Sequence, residues 1–377
     1  MISSHFFLKL LLENDVNLFT GVPDSLLKDF CEHIDVTLDP SQHIIAANEG
    51  SALGIAAGHH LATGKVPLIY MQNSGLGNAV NPLTSLLDEK VYCMPALLLI
   101  GWRGEPGVSD EPQHITMGEV TPAVLNAINV PHTVLSSDEK KAAKELLAVL
   151  DSIKKTCRPH ALLVRKGTFS AEKHAKPKSE EKYTLTREQA LTSVVEEIPK
   201  NSVIVSTTGK LSRELFEIRH AKSMGHACDF LTIGSMGHAS QIALGLALSK
   251  PNKNIYCFDG DGAAIMHLGG MATIGQFHPS NFVHIVFNNG AHESVGGQKT
   301  AGFFVNFCEI ARACGYKEVY YADTDSAISQ IFKDSKPNTG PIFIEIRTKK
   351  GARSDLGRPT IPPNQNKKDL MEFLNKK

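Results

Sequence analysis

Two short polar clusters carry the strongest chemical signal in the chain: Asp259-Gly260-Asp261-Gly262 and Asn288-Asn289-Gly290. Asp261 is a hard oxygen donor, and an Asn amide oxygen is a second. Magnesium takes few protein oxygens and completes an octahedron with water and phosphate oxygens. Gly260 and Gly262 let the backbone come close to phosphate, and the N–H groups opening a following helix form an anion site. Either cluster alone could be a tight turn. Together, with 25 residues between Gly262 and Asn288, they bracket one helical crossover between two strands. Both then fall at the carboxyl ends of parallel strands, the edge where open α/β sheets bind ligands. The pattern fits a diphosphate held with a divalent ion.

Three further stretches could contribute. Ala46-Ala47-Asn48-Glu49-Gly50-Ser51-Ala52 puts an acid at the start of a small-residue helix, where the helix dipole favours it. Ile233-Gly234-Ser235-Met236-Gly237-His238 precedes an Ala/Gly-rich helix, and Met236 alone reads as a core methionine. Thr207-Thr208-Gly209-Lys210 follows an apolar strand. Arg103, His114, Lys210 and Lys299 are candidates for an anionic substrate group, because Arg offers a two-pronged grip and Lys a point charge. The seven cysteines include no C-x-x-C pair, and the sixteen histidines show no His-Cys or His-Glu spacing that suggests a zinc site.

The elements that must position these residues read as follows. Apolar runs at Val66–Met71, Pro95–Ile100, Ala161–Arg165, Ser202–Thr207, Asn254–Phe258, Val283–Phe287 and Ile342–Arg347 have the length and continuity of buried parallel strands. Helical patterns lie between them, as at Asp138–Leu150, at Thr186–Ile198 with its Thr186-x-x-Gln189 capping box, and from Ala263 to Phe277. The alternation predicts an α/β fold with two parallel-sheet domains. The polar stretch 168–184 reads as a linker between a first domain, 1–167, and a second, 185–350. The basic tail, 351–377, reads as a solvated terminus. Lys+Arg and Asp+Glu are both 39, so no global field attracts nucleic acid or an anionic membrane. No apolar run reaches membrane-span length, and Met1–Leu12 lacks the features of a signal peptide. A cytoplasmic protein with reduced thiols is expected.

The polar clusters resemble the magnesium and diphosphate motif of thiamine diphosphate enzymes. The resemblance implies Asp261, Asn289 and the Ala291 carbonyl as magnesium ligands, with Asn288 more structural. It implies cofactor contacts at Thr208, Gly209, Gly234, Met236, Gly260, Gly262 and Ala263. Many members carry a hydroxyl residue where this chain has Ala263, so another donor must serve the diphosphate here. Glu49 matches the activating glutamate, which hydrogen-bonds the aminopyrimidine ring. Met236 matches the apolar wedge that bends the cofactor. Phe19-Thr20-Gly21-Val22-Pro23-Asp24-Ser25, Asn73-Ser74-Gly75-Leu76-Gly77-Asn78, Gly101-Trp102-Arg103-Gly104, Asp110-Glu111-Pro112-Gln113-His114 and Gly296-Gly297-Gln298-Lys299-Thr300 resemble motifs of the phosphonopyruvate and sulfopyruvate decarboxylases. This adds Asp24, Ser25 and Asn73 as substrate candidates. It implies the pyrimidine- and diphosphate-binding domains without a middle domain, and decarboxylation of a small 2-oxo acid, phosphonopyruvate ahead of sulfopyruvate. It further implies a homo-oligomer, at least a dimer, whose active sites are shared between chains. A nicotinamide dehydrogenase ranks low, since Gly75-x-Gly77 lacks the third glycine of its fingerprint. A cofactor-binding sensor ranks low because it would not need Glu49.

Overall fold

The computed structural model describes residues 1–171, 182–335 and 339–376. The chain divides into two compact units, Met1–Pro177 with Val295–Gln298, and Lys178–Ser294 with Lys299–Lys377. Most of the expected linker lies outside the described residues. Its flanks are not loose: Phe169 is buried and bridges to Ile2, and Tyr183 is buried as well.

The first unit is a six-stranded parallel sheet of β1 (Phe19–Gly21), β2 (His43–Ile45), β3 (Leu68–Gln72), β4 (Leu97–Gly101), β5 (His132–Val134) and β6 (His160–Val164). The spatial order is β2-β1-β3-β4-β6-β5. Alternate residues feed opposite faces. Leu68, Tyr70, Leu97 and Leu99 join Phe7, Phe30 and Phe169 on one side. Ile69, Met71, Leu98 and Ile100 pack on Leu53 and Leu83 on the other. Burial on both faces explains why these strands are apolar runs. The order reverses between β1 and β3, so the loops after these two strands flank the switch-point crevice.

The second unit repeats the plan with β7 (Val203–Ser206), β8 (Asp229–Leu231), β9 (Ile255–Gly260) and β10 (Phe282–Asn288). Two short strands follow, β11 (Ala291–His292) and β12 (Gln298–Lys299), then β13 (Glu318–Ala322) and β14 (Ile342–Arg347). The main sheet is parallel, in the order β13-β14-β10-β9-β7-β8. Its switch point lies between β7 and β9. The β9–β10 register pairs Gly260 with Phe287, so Asp261 and Asn288 leave adjacent strand ends.

Two expectations are corrected here. The crossover after β9 is not one helix from Ala263 to Phe277. It is two, Asp261–Met266 and Gly270–Phe277, separated at His267 to Gly269 where the paired glycines Gly269-Gly270 weaken the helix. The tail is not a solvated terminus. Helix Pro363–Asn375 docks on β8: the Asn366 amide accepts from Leu231 N–H at 3.0 Å and donates to the Asp229 carbonyl at 2.7 Å. Leu370, Phe373 and Leu374 supply its apolar face. Among the described residues, no helix is long and apolar enough to cross a membrane.

Candidate active site

In the second unit, Asp261 opens its helix at the end of β9 and is 2% exposed. One carboxylate oxygen accepts the Thr300 hydroxyl, and the other accepts Asn289 N–H at 3.4 Å. Both partners are neutral. Burial pushes the Asp261 pKa up to about 6, against the smaller pull of Thr300 and the Asn289 N–H. A buried acid so short of positive charge is a ready cation ligand. An added Cβ on Gly302 would lie 2.3 Å from Asp261 Oδ2, so only glycine fits at that position.

The two asparagines do different work. Asn288 donates to the Gly302 carbonyl at 2.7 Å and Glu345 Oε1 at 2.8 Å, and accepts from Gly290 N–H, so its amide is spent on the loop. Among the described residues, the Asn289 amide oxygen accepts only Ala291 N–H, at 3.1 Å, which leaves one lone pair. Gly260 opens onto free space, whereas Gly262 faces His292 and Thr300. Ala263 is buried.

At the end of β7, the Thr207 hydroxyl is buried without a partner. Thr208 is half-buried, and Gly209, at φ +103°, leads into helix Lys210–Ala221. Gly209 offers no capping side chain, and Lys210 N–H makes a long hydrogen bond to Ser294 Oγ at 3.4 Å, so the first turn of the helix is weakly capped and can present N–H groups to an anion. Lys210 is half-buried at the same end, and Lys299 is exposed. Met236 is half-buried in a loop whose Gly237 packs against His267 and the Ala263 carbonyl, which holds Gly234 and Met236 beside the Asp261 helix. The parallel register also sets His284 opposite Cys257, an encounter that linear spacing hides. Donor atoms of Cys257, Asp259 and His284 lie within 4.8 Å. Asp259 accepts Gly260 N–H at 3.0 Å, and His284 meets the Tyr316 hydroxyl at 3.2 Å. These contacts tie the strand end before Asp261 into the core.

In the first unit, Asn48 caps helix Glu49–Thr63 through Ser51 N–H, and Glu49 is its first residue, 5% exposed. The Glu49 carboxylate accepts from Asn78 Nδ2 at 2.8 Å. Burial raises its pKa, and the Asn78 hydrogen bond opposes the rise. An added Cβ on Gly75 would lie 2.3 Å from Glu49 Oε1, which explains that glycine without any nucleotide fingerprint.

The remaining candidates of this unit cluster just beyond the carboxyl ends of β1, β3 and β4. Asp24, 1% exposed, accepts Leu26 N–H at 2.9 Å through Oδ2, while Oδ1 has no partner. Burial pushes its pKa up to about 6, with Leu26 N–H and Arg103 pulling it down. The Arg103 guanidinium is gripped on two sides by Asp110 and donates to Ser25 Oγ at 2.7 Å. His114 is buried beside this pair, and burial lowers its pKa. Asn73 is fully buried, and its amide bonds the Arg103 backbone and Thr121, so it braces the loop that carries Arg103. Sequence reasoning missed the partners Asn78, Asp110 and Thr300, although all three stand inside motifs it singled out.

Asp24 gives a pH-dependent expectation. A carboxyl raised in the fold lends stability that is full below the unfolded value of 3.8 and lost as pH rises through about 6. Relative to wild type, Asp24→Asn should gain up to about 3 kcal/mol between pH 4 and pH 7. Urea unfolding at both pH values checks this, and an equal difference at both would refute it.

Known proteins show the same two-part plan. The model for the thiamine pyrophosphate enzyme N-terminal TPP binding domain matches residues 1–129, and that for the C-terminal TPP binding domain matches residues 207–346. A phosphonopyruvate decarboxylase of Streptomyces viridochromogenes is 32% identical over 375 residues, covering 95% of this chain and 91% of that protein. That of Streptomyces hygroscopicus is 32% identical over 388 residues, covering 99% and 94%. A sulfopyruvate decarboxylase of Methanosarcina acetivorans is 27% identical over 395 residues, covering 98% and 97%. With both domain models matched and these relatives aligned from end to end, the chain belongs to the thiamine pyrophosphate enzyme family.

Proposed function

We propose that the chain is a magnesium-dependent decarboxylase that converts 3-phosphonopyruvate into phosphonoacetaldehyde and carbon dioxide, a step of phosphonate biosynthesis. The observation that carries this reading is the end-to-end similarity to two phosphonopyruvate decarboxylases, at higher identity than to the sulfopyruvate decarboxylase. Thiamine diphosphate supplies, when bound, the carbon nucleophile and the electron sink for loss of carbon dioxide. The chain's residues bind, orient and trade protons. Asp261, Asn289 and the Ala291 carbonyl would hold magnesium. The weakly capped first turn of helix Lys210–Ala221 and the unpartnered Thr207 hydroxyl would serve the diphosphate, the hydroxyl standing in for the one that Ala263 lacks. Thr208, Gly209, Gly234, Gly260 and Gly262 would line the cofactor, with Met236 as its apolar support.

Glu49 would hold a proton at the aminopyrimidine nitrogen, and burial, by raising its pKa, favours the protonated form that such an exchange needs. Asp24 and His114 would be proton-carrying groups of the substrate crevice. Arg103, with its fork on Asp110, would add charge and shape to that crevice, leaving Lys210 and Lys299 as the freer cations for the phosphonate. We place the protein in the cytoplasm, which suits its seven free cysteines. We also read it as a homodimer or larger oligomer in which Glu49 of one chain serves the Asp261 motif of another.

Purified protein with thiamine diphosphate and magnesium should turn over phosphonopyruvate with a higher kcat/KM than sulfopyruvate or pyruvate, with aldehyde formation as the readout. Preference for sulfopyruvate would move the assignment to the sulfonate substrate. No carbon dioxide release from any of the three, with cofactor bound, would favour a sensor.

A further inference from the structure

The Asn289 side chain is held from both ends. Its Nδ2 donates to Glu293 Oε2 at 3.2 Å, and its Oδ1 accepts from Ala291 N–H at 3.1 Å. An amide turned end for end would set its oxygen against a carboxylate and its NH2 against an N–H. Both contacts therefore select the same orientation. In that orientation the amide oxygen keeps a spare lone pair and is the atom available to a cation.

Glu293 is itself clamped. Its Oε2 accepts from Arg187, and its Oε1 accepts from Gly351 N–H. Arg187 is the first residue of helix Arg187–Glu197, which the Thr186–Gln189 capping box starts. The Arg187 side chain, 7% exposed, also makes a two-pronged bond to Glu214 at 2.7 and 2.8 Å. One helix, the loop after β10 and the segment after β14 thus meet on the Glu293 carboxylate, and a second helix joins through Glu214 on Arg187. The cluster of Arg187, Glu214 and Glu293 has one positive and two negative side chains, an excess that favours a dication nearby.

We propose that Glu293 is a positioning residue for the metal site, fixing the Asn289 amide so that its oxygen faces the cation. Arg187 and the Gly351 N–H hold Glu293 in that pose, so the segment beyond β14 takes part in building the site. This rests on the reading of Asp261 and Asn289 as metal ligands.

The test uses the full-length protein with thiamine diphosphate and Mn2+ as the probe, free Mn2+ being followed by electron paramagnetic resonance. Glu293→Ala should weaken Mn2+ binding about 10–100-fold. Its kcat should recover at saturating metal. Glu293→Gln, which still offers an oxygen to Asn289 Nδ2, should recover part of the affinity. Arg187 keeps Glu214 in both variants, so folding is expected to survive. If Glu293→Ala does not fold, Glu293→Gln decides, with weakened Mn2+ binding as the expected result. Asp261→Ala in the same titration checks the underlying reading, and unchanged affinity there would remove the metal site itself. Affinity lost in Asp261→Ala but kept in the Glu293 variants, with only thermal stability lowered, would make the cluster purely structural and overturn the proposal.

Discussion

Glu49→Gln is expected to lower turnover by about 10²–10⁴-fold while the chain still folds and binds thiamine diphosphate. Glutamine keeps the shape of the side chain, and its amide oxygen can still accept the Asn78 donor that now lies 2.8 Å from the carboxylate. Helix Glu49–Thr63 keeps its Asn48 cap and the αL glycine Gly64 at its end, so local stability should change little. What is lost is a group that can take and return a proton. Burial raises the Glu49 pKa, against the opposing hydrogen bond from Asn78. Steady-state rates and exchange of the cofactor C2 proton, followed by nuclear magnetic resonance, read out the same defect twice. Unchanged exchange would reduce Glu49 to a glutamate that merely begins a helix.

The acid at 49 was legible in the sequence, but its surroundings were not. Asn78 stands 29 positions away, and only the packing of helix Glu49–Thr63 on helix Leu76–Ser85 brings the two together. The central strands were readable because both of their faces are buried, which leaves a continuous apolar run. Strands β1, β2, β5 and β8 have three residues each, too few to show a period; β1, β5 and β8 are fixed by parallel pairing with longer neighbours, and β2 by pairing with β1. The tail misled because its charges dominate its composition, while the apolar face of helix Pro363–Asn375 rests on a few residues such as Leu370 and Phe373. Arg103 misled in the opposite way. Its charge suggested a free clamp, yet Asp110, seven residues on, already occupies the fork. Pairings of this kind belong to loop geometry, and residue type alone does not disclose them.

Asp261→Ala is expected to abolish magnesium-dependent cofactor binding, because the diphosphate charge loses its bridging cation. The apo protein should tolerate the change, since the wild-type carboxylate is buried among neutral partners. Full cofactor affinity in the variant, measured by calorimetry, would contradict the assignment. The variant also tests assembly when it is combined with Glu49→Gln. If each site draws Glu49 from one chain and Asp261 from another, a mixed dimer holds one site with both lesions and one with neither. Random mixing in equal amounts should then restore about a quarter of wild-type activity from two inactive proteins. If each chain builds its own site, every site in the mixture carries one lesion and nothing returns. Tagging the two variants differently and purifying the mixed species through both tags makes the comparison direct. An inactive mixed dimer, from parents shown separately to be folded and dimeric, would mean that each chain completes its own site.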